Sequence, residues 1–411
     1  MEAVVECCAG LDVHQGSVVA CVLLGAAGRK PRKEVRTFAT ATADLVALRD
    51  WLEALGVTHV GMESTGVYWK PVYAVLEGHF ELIVGNAHHI KAVPGRKTDV
   101  KDAEWIADLV RHGLVRASFV PPPAIRELRD LVRLRRSLSE GLTTERNRTL
   151  KLLETANIKL ASVAGEVFGV SGMAMLRALV ENAATPTEMA DLARGKLRRK
   201  LAPLARALEG RLTEHHRFVL ALHLRRMAAI EADLAALDAR IEAQMEPFRA
   251  QRALLRQIPG VDDRVAATII AEIGIGMSVF GNAMRLASWA GVCPGNYESA
   301  GKQRKGSTRR GNVHLKTALV TAAIGASRRK GSYYKDKCHR LKARRGCLRA
   351  AIAIAHKILV AAYHMLATGA PFRDLGEAFL DQQARRRRTA NLVRRLNTLG
   401  YDVMLQPRAS A

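Results

Sequence analysis

Four carboxylates in the first quarter of the chain stand where they could hold a cation: Asp12, Glu63, Asp99 and Asp102. Asp12 lies in GLDVHQ, in or at the end of an apolar first strand. An acid there is costly unless it binds a cation or finds hydrogen bonds. Glu63 follows Val60-Gly61-Met62 in GMESTGVY, and Asp99 and Asp102 fall in KTDVKDA at the start of a helix. Three helical residues turn the chain by about 300°, so these two acids share nearly one face. Acids on separate strand ends and one helix start suit a two-ion phosphoryl-transfer site. Hard Mg²⁺ or Mn²⁺ takes oxygen ligands, and two ions ~3.5–4 Å apart can stabilise attacking and leaving oxygens together. Plainer readings stand beside this one. Asp99 could be a helix-dipole charge, Asp102 a solvated residue and Glu63 a strand-end cap.

A second set of residues is basic. QIPGVDDRVAATIIAEIG reads as helix, tight turn, helix, with the turn at Pro259-Gly260-Val261. That is a helix-hairpin-helix-like pattern, whose turn amides at Gly260 could hold a nucleic-acid phosphate, or a plain helical hairpin. Next, LASWAGVCPGNYESAGKQRKGSTRRGNVHLKTAL places a polar, Gly-rich loop between two apolar helices, ending at Gly291 and beginning at Val313. The loop carries Lys302, Arg304, Lys305, Arg309 and Arg310, and Lys316 follows in the next helix. Such a loop suits a phosphate backbone. Ser299, Ser307 and Thr308 are equal candidates for a reactive hydroxyl on composition alone.

The elements that must position these groups differ along the chain. The first ~120 residues alternate apolar strands and amphipathic helices, which predicts an α/β layer domain. Strands or a hairpin are expected over Val4–Leu24, with further strands at Glu34–Ala39, Thr58–Met62 and Phe80–Val84. Helices are expected at Thr42–Leu55, Val67–Glu77 and Val100–His112. Pro121, Pro122 and Pro123 mark a boundary. An all-α region follows. In it Leu220, Leu224, Met227, Ile230, Leu234, Leu237 and Ile241 form a coiled-coil seam, satisfied either within one chain or between chains. The stretch from Pro121 to Met245 is longer than a simple coiled coil needs, so extra helices are expected there. From Phe372 the chain is polar, and Arg385–Arg388 could be a solvated tail or a nucleic-acid contact.

The chain has 411 residues, 64 Lys+Arg and 39 Asp+Glu, for a net charge of +25. The excess is uneven: net −1 over residues 1–120, +6 over 121–300 and +20 over 301–411. That argues against a uniformly basic, ribosomal-protein-like chain and for a basic module joined to a near-neutral one. No secretory signal or membrane span is expected, since His356, Lys357 and His364 interrupt the best apolar run. The six cysteines include no CxxC pair, so neither a disulfide framework nor a structural zinc site is expected. A cytoplasmic, nucleoid-associated protein is the simplest reading.

GLDVHQ, GMESTGVY, KTDVKDAEWIADL, IPGVDDRVAATIIAEIG and the long Tyr-Glu-Ser segment occur in an order that resembles the insertion-sequence one-ten family of transposases, the DEDD recombinases. The resemblance covers most of residues 8–120 and 254–325. It implies an N-terminal RuvC-like domain of RNase-H-like fold, with Asp12, Glu63, Asp99 and Asp102 as its metal-binding acids. It implies a helical coiled-coil connector and a mostly helical C-terminal transposase domain whose nucleophile falls at Ser299. The expected divisions are 1–122, 123–250, 251–375 and a basic tail over 376–411. Mg²⁺ or Mn²⁺ is the implied cofactor. Element-end and target DNA, a structured noncoding bridge RNA as guide, and further copies of the chain (dimer or tetramer) are the implied partners. Two other activities remain open. One is a RuvC-type nuclease using water, and the other is a nucleic-acid-binding protein without catalysis. An actin-like phosphotransferase rests on GLDVHQGS alone.

Overall fold

The computed structural model describes residues 3–26, 28–93, 102–294, 298–299, 302–303, 308 and 310–406. They form two compact units, Met1–Val120 and Pro121–Ala411. The division falls at the proline run, and Pro123 occupies the first turn of the next helix, where its missing N–H costs nothing.

The first unit is built on strands β1 (Cys7–Val13), β2 (Ser17–Leu24) and β3 (Arg32–Ala39). Helix α1 (Thr42–Ala54), strand β4 (His59–Glu63), helix α2 (Trp69–Leu76) and strand β5 (Glu81–Gly85) follow. The short helix α3 (Ala87–Ala92) and helix α4 (Asp102–Arg111) complete it. The sheet order is β3-β2-β1-β4-β5. β1–β2 and β2–β3 pair antiparallel, and β1–β4 and β4–β5 pair parallel. Three antiparallel strands leading into two parallel ones with crossover helices are the expected RNase-H-like arrangement. Residues of alternating parity separate two cores. Ala9, Leu11, Val60 and Met62 join α1 and α2 on one face. Cys8 and Cys21 join Ala103, Ile106, Ala107 and Val110 of α4 on the other.

The second unit is helical. α5 (Pro123–Thr155) and α10 (Glu214–Met245) pack along each other, tied by Arg135–Asp238 and by Glu145 with His223 Nδ1 at 2.7 Å. Leu220, Met227 and Ile241 of the expected seam are buried, so the seam is satisfied at least in part within the chain. The expected extra helices lie between these two. They are α6 (Leu160–Val163), α7 (Val170–Glu181), α8 (Pro186–Asp191) and α9 (Leu201–Leu208). They share a core with Leu153 of α5 and Leu220 of α10. Next come α11 (Arg249–Leu255), α12 (Asp263–Ile273) and α13 (Ala283–Trp289). A two-stranded hairpin, β6 (Glu298–Ser299) with β7 (Lys302–Gln303), precedes α14 (Val313–Ala326), α15 (Tyr333–Arg345), α16 (Cys347–Thr368) and α17 (Phe379–Thr398).

Three features depart from the expectations. The region read as an unbroken loop between α13 and α14 contains the β6–β7 hairpin. The polar tail carries the 20-residue helix α17. α16 is also long and apolar enough to cross a membrane, which the interrupting His and Lys residues had argued against. Ala350, Ile354, Ala355, Ile358, Leu359 and Ala362 of α16 are fully buried in the helical unit.

Candidate active site

Asp12 and Glu63 stand side by side. Leu11 pairs with Met62 across the parallel β1–β4 ladder, so the next residues, Asp12 and Glu63, are neighbours at the carboxyl ends of the two strands. Adjacent strands run ~4.8 Å apart. Leu11 and Met62 point into the α1–α2 core, so alternation turns both acids to the α4 face.

Glycines bring α4 onto that face. A Cβ on Gly10 would lie 2.2 Å from both Ala103 O and Ala107 N, so the backbone of α4 rests directly on β1. A Cβ on Gly61 would lie 2.3 Å from Val110 Cγ2. The carboxyl end of α4 is anchored by Arg111, which is 3 % exposed. Its guanidinium donates to Glu6 O at 3.2 Å, Gly25 O at 2.9 Å and Ala26 O at 3.1 Å. Cys8 Sγ lies 3.5 Å from Ala107 O, one strand period back from Gly10. The helix therefore runs antiparallel to β1. Its amino end, opening on Asp102, points toward Asp12, which lies two residues beyond Gly10.

The local partners are polar. His14 Nε2 lies 3.2 Å from Asp12 Oδ2, and the Thr65 hydroxyl donates to Glu63 Oε1. Asp102 is exposed on the first turn of α4. Asp99 lies outside the described residues. Among the described residues no group of three His, Cys, Asp or Glu side chains is close enough to hold an ion. Of the expected acids that are described, Asp12 and Glu63 alone are brought onto neighbouring strand ends, and their carboxylate oxygens are the hard donor type that a divalent cation such as Mg²⁺ takes.

In the helical unit, Ser299 ends β6 and pairs with Lys302 on β7. Arg304, Lys305 and Arg309 lie outside the described residues. Arg310 is exposed, and Lys316 Nζ donates to Thr308 Oγ1 at 2.7 Å, tying α14 to the loop. Gly260 has φ +84°, and a Cβ there would meet Ala322 O at 2.0 Å. The turn thus packs on the backbone of α14, which by itself requires glycine.

A buried network holds the start of α14. Glu272 of α12 has no exposed surface. It receives Arg133 Nε at 2.7 Å, Arg133 Nη2 at 2.8 Å and Asn312 Nδ2 at 2.5 Å. Asn312 caps α14 by accepting from Leu315 N at 3.0 Å. Burial pushes the Glu272 carboxyl up. The Arg133 and Asn312 hydrogen bonds, with the Arg133 and Arg129 charges, outweigh burial and hold it below the usual carboxylate range.

Residues 9–158 match a family model described as a transposase of the DEDD, IS110 type, and residues 252–339 match one described as transposase IS116/IS110/IS902 family. The chain belongs to the IS110 family of transposases. The two matches together span more than half of the chain, and they include Asp12, Glu63, Asp99 and Asp102 in the first and Ser299 in the second. No curated protein matches the chain. DNA is the substrate that the transposase family implies.

The residues that position this transposase's acids were missed from sequence. Gly10 and Gly61 are glycines inside apolar strands, a pattern that signals close backbone approach. Glu272, one acid within the apolar run IIAEIG, carried a similar signal, since such an acid needs a buried partner.

Proposed function

We propose that the protein cuts and rejoins DNA at the ends of an insertion sequence through a phosphoserine intermediate. The reading rests above all on one observation. Asp12 and Glu63 stand on neighbouring strand ends, on the face of the sheet toward which the acid-bearing start of α4 is directed, in a chain of the IS110 transposase family.

Asp12, Glu63, Asp99 and Asp102 would hold Mg²⁺, or Mn²⁺, which when bound neutralises charge on phosphoryl oxygens. Ser299 Oγ attacks the phosphorus, forming a serine–phosphate ester as the DNA P–O bond breaks. The departing DNA oxygen leaves as a hydroxyl, taking up one proton as the serine gives one up. A free serine hydroxyl is a weak nucleophile at neutral pH, so a base must assist it. Reverse attack by a DNA hydroxyl restores the phosphodiester and frees Ser299. The ester conserves the bond, so the exchange requires no nucleotide triphosphate. Lys302, Arg304, Lys305, Arg309, Arg310 and Lys316 grip the phosphate backbone around the serine, with the Gly260 turn as a further contact. A structured noncoding RNA supplies target choice by base pairing, and the active form is a homo-oligomer.

The test is to incubate the protein with labelled element-end DNA and Mg²⁺ and then denature it. A label covalently attached to the wild-type chain and absent from Ser299→Ala is expected. An adduct that persists in Ser299→Ala removes this serine from the role. Free 5′-phosphate ends without any adduct would favour hydrolysis by water.

A further inference from the structure

Beyond residue 339, where the second family match ends, the transposase carries a basic element outside both matches. Helix α17 holds Arg385, Arg386, Arg387, Arg388, Arg394 and Arg395 against a single acid, Asp381. That acid is engaged by Arg340 Nη2 of α15 at 2.7 Å. Beside it Tyr333 of α15 meets the Phe379 ring edge-on, with centroids 5.7 Å apart. The first turn of α17 is thus fastened to α15. The four consecutive arginines beyond it are exposed, and none of them forms an ion pair among the described residues.

α15 adds Lys335, Lys337, Lys342, Arg344 and Arg345. Lys337 lies between the two basic sets. Burial pushes its ammonium down, and the charges of Lys357, Arg344, Arg340 and Arg387 push it the same way. Cations crowded in this manner attract a polyanion.

The spacing of the run selects which polyanion fits. Successive helical residues step by about 100°, so four in a row sweep about 300° and cannot line one face. Arg385, Arg386 and Arg394 border a groove of about 1020 Å³ shared with Leu405, whereas Arg387 bears on Lys337. A one-sided anionic surface would meet only part of this set. A duplex groove has phosphates along both walls. The major groove of B-DNA, ~12 Å wide, admits a helix ~10–12 Å across. The major groove of A-form RNA is too deep and narrow for side chains to read.

We propose that α17 is a sequence-independent grip on duplex DNA, lying in the major groove with Arg385–Arg388 divided between its two phosphate walls. This grip needs neither Mg²⁺ nor Ser299, so it stands or falls apart from the transesterification reading.

The full chain is titrated with a short duplex DNA lacking element ends, in EDTA, across a salt series. It is compared with a variant in which Arg385, Arg386, Arg387 and Arg388 are all replaced by Gln. The log–log salt slope should fall by ~0.9 for each lost phosphate contact. A four-Lys variant, which keeps the charge, should retain the wild-type slope. A fall smaller than ~0.9 overturns the proposal. So does an equal or greater fall with duplex RNA. A slope loss that coincides with dissociation of an oligomer in sedimentation also overturns it, because the exposed Leu392, Leu396 and Leu399 would then mark α17 as a self-association helix.

Discussion

Gly10 and Asp12 sit on the same face of one strand and do opposite things: the first removes a side chain so that a helix can land, and the second keeps one to meet it. Gly10→Ala would drive a methyl into the backbone of α4, at Ala103 O and Ala107 N, which cannot rotate away. Gly61→Ala meets the side chains of Val110 and Ile106, which can shift. Overpacking costs ~1–3 kcal/mol and more when backbone must move. Urea denaturation should therefore show Gly10→Ala losing at least ~3 kcal/mol and Gly61→Ala losing less. Equal losses would mean that α4 is not seated on Gly10. Glu272 carries a pH signature. Its folded carboxyl lies below its ordinary range, so the ion-pair contribution is complete above the unfolded value of ~4.3 and is lost as pH falls through the folded value. Breaking a buried pair costs ~3–5 kcal/mol, and the lower end applies because Arg133 keeps access to water. Glu272→Gln should thus lose ~3 kcal/mol near neutral pH and show a flatter stability profile below about pH 4. An unchanged acid limb in the variant would contradict this.

At the scale of elements, the placement of the candidate site residues depends on how helix ends are held. α4 is pinned at its carboxyl end by Arg111 and along its length by two glycines, which leaves its amino end at the acids. α14 is held at its amino end by Asn312 and Glu272, next to the loop that bears Ser299. The α5–α10 pair depends on its interior contacts. Leu220, with no exposed surface, links that pair to the core of the inserted helices. Leu220→Ala should cost ~2–5 kcal/mol, measured by thermal or chemical unfolding. A cost below ~1 kcal/mol would show that the inserted helices do not share this core. Most of these elements were legible in the sequence. The strands alternate, and the long helices have apolar periodicity between clear breakers. Asp12 and Glu63 could be singled out, but their adjacency could not, because it arises from the Leu11–Met62 register between strands some 50 residues apart. α17 was not legible as a helix. Its sequence is arginine-rich and has no buried face to impose a period. α3 is too short to show any period.

Across the whole molecule, the two units should unfold separately. Trp51, Trp69 and Trp105 belong to the first unit and only Trp289 to the second. Tryptophan fluorescence therefore reports chiefly the α/β unit, and far-ultraviolet circular dichroism chiefly the long helices. Non-coincident denaturation curves are expected, and Gly10→Ala should move the fluorescence transition more than the dichroism transition. Superimposable curves in wild type and variant would mean that the units melt as one. The division at Val120 and Pro121 also has a consequence for the chain as it is made. Every acid proposed above as a metal ligand precedes that point, and Ser299 follows it by 179 residues. At ~5–20 residues per second, synthesis of that interval takes roughly 9–36 s. The first unit can therefore fold on the ribosome well before Ser299, the nucleophile proposed above, has been added, so on that proposal a nascent transposase cannot yet form a covalent link to the gene being read.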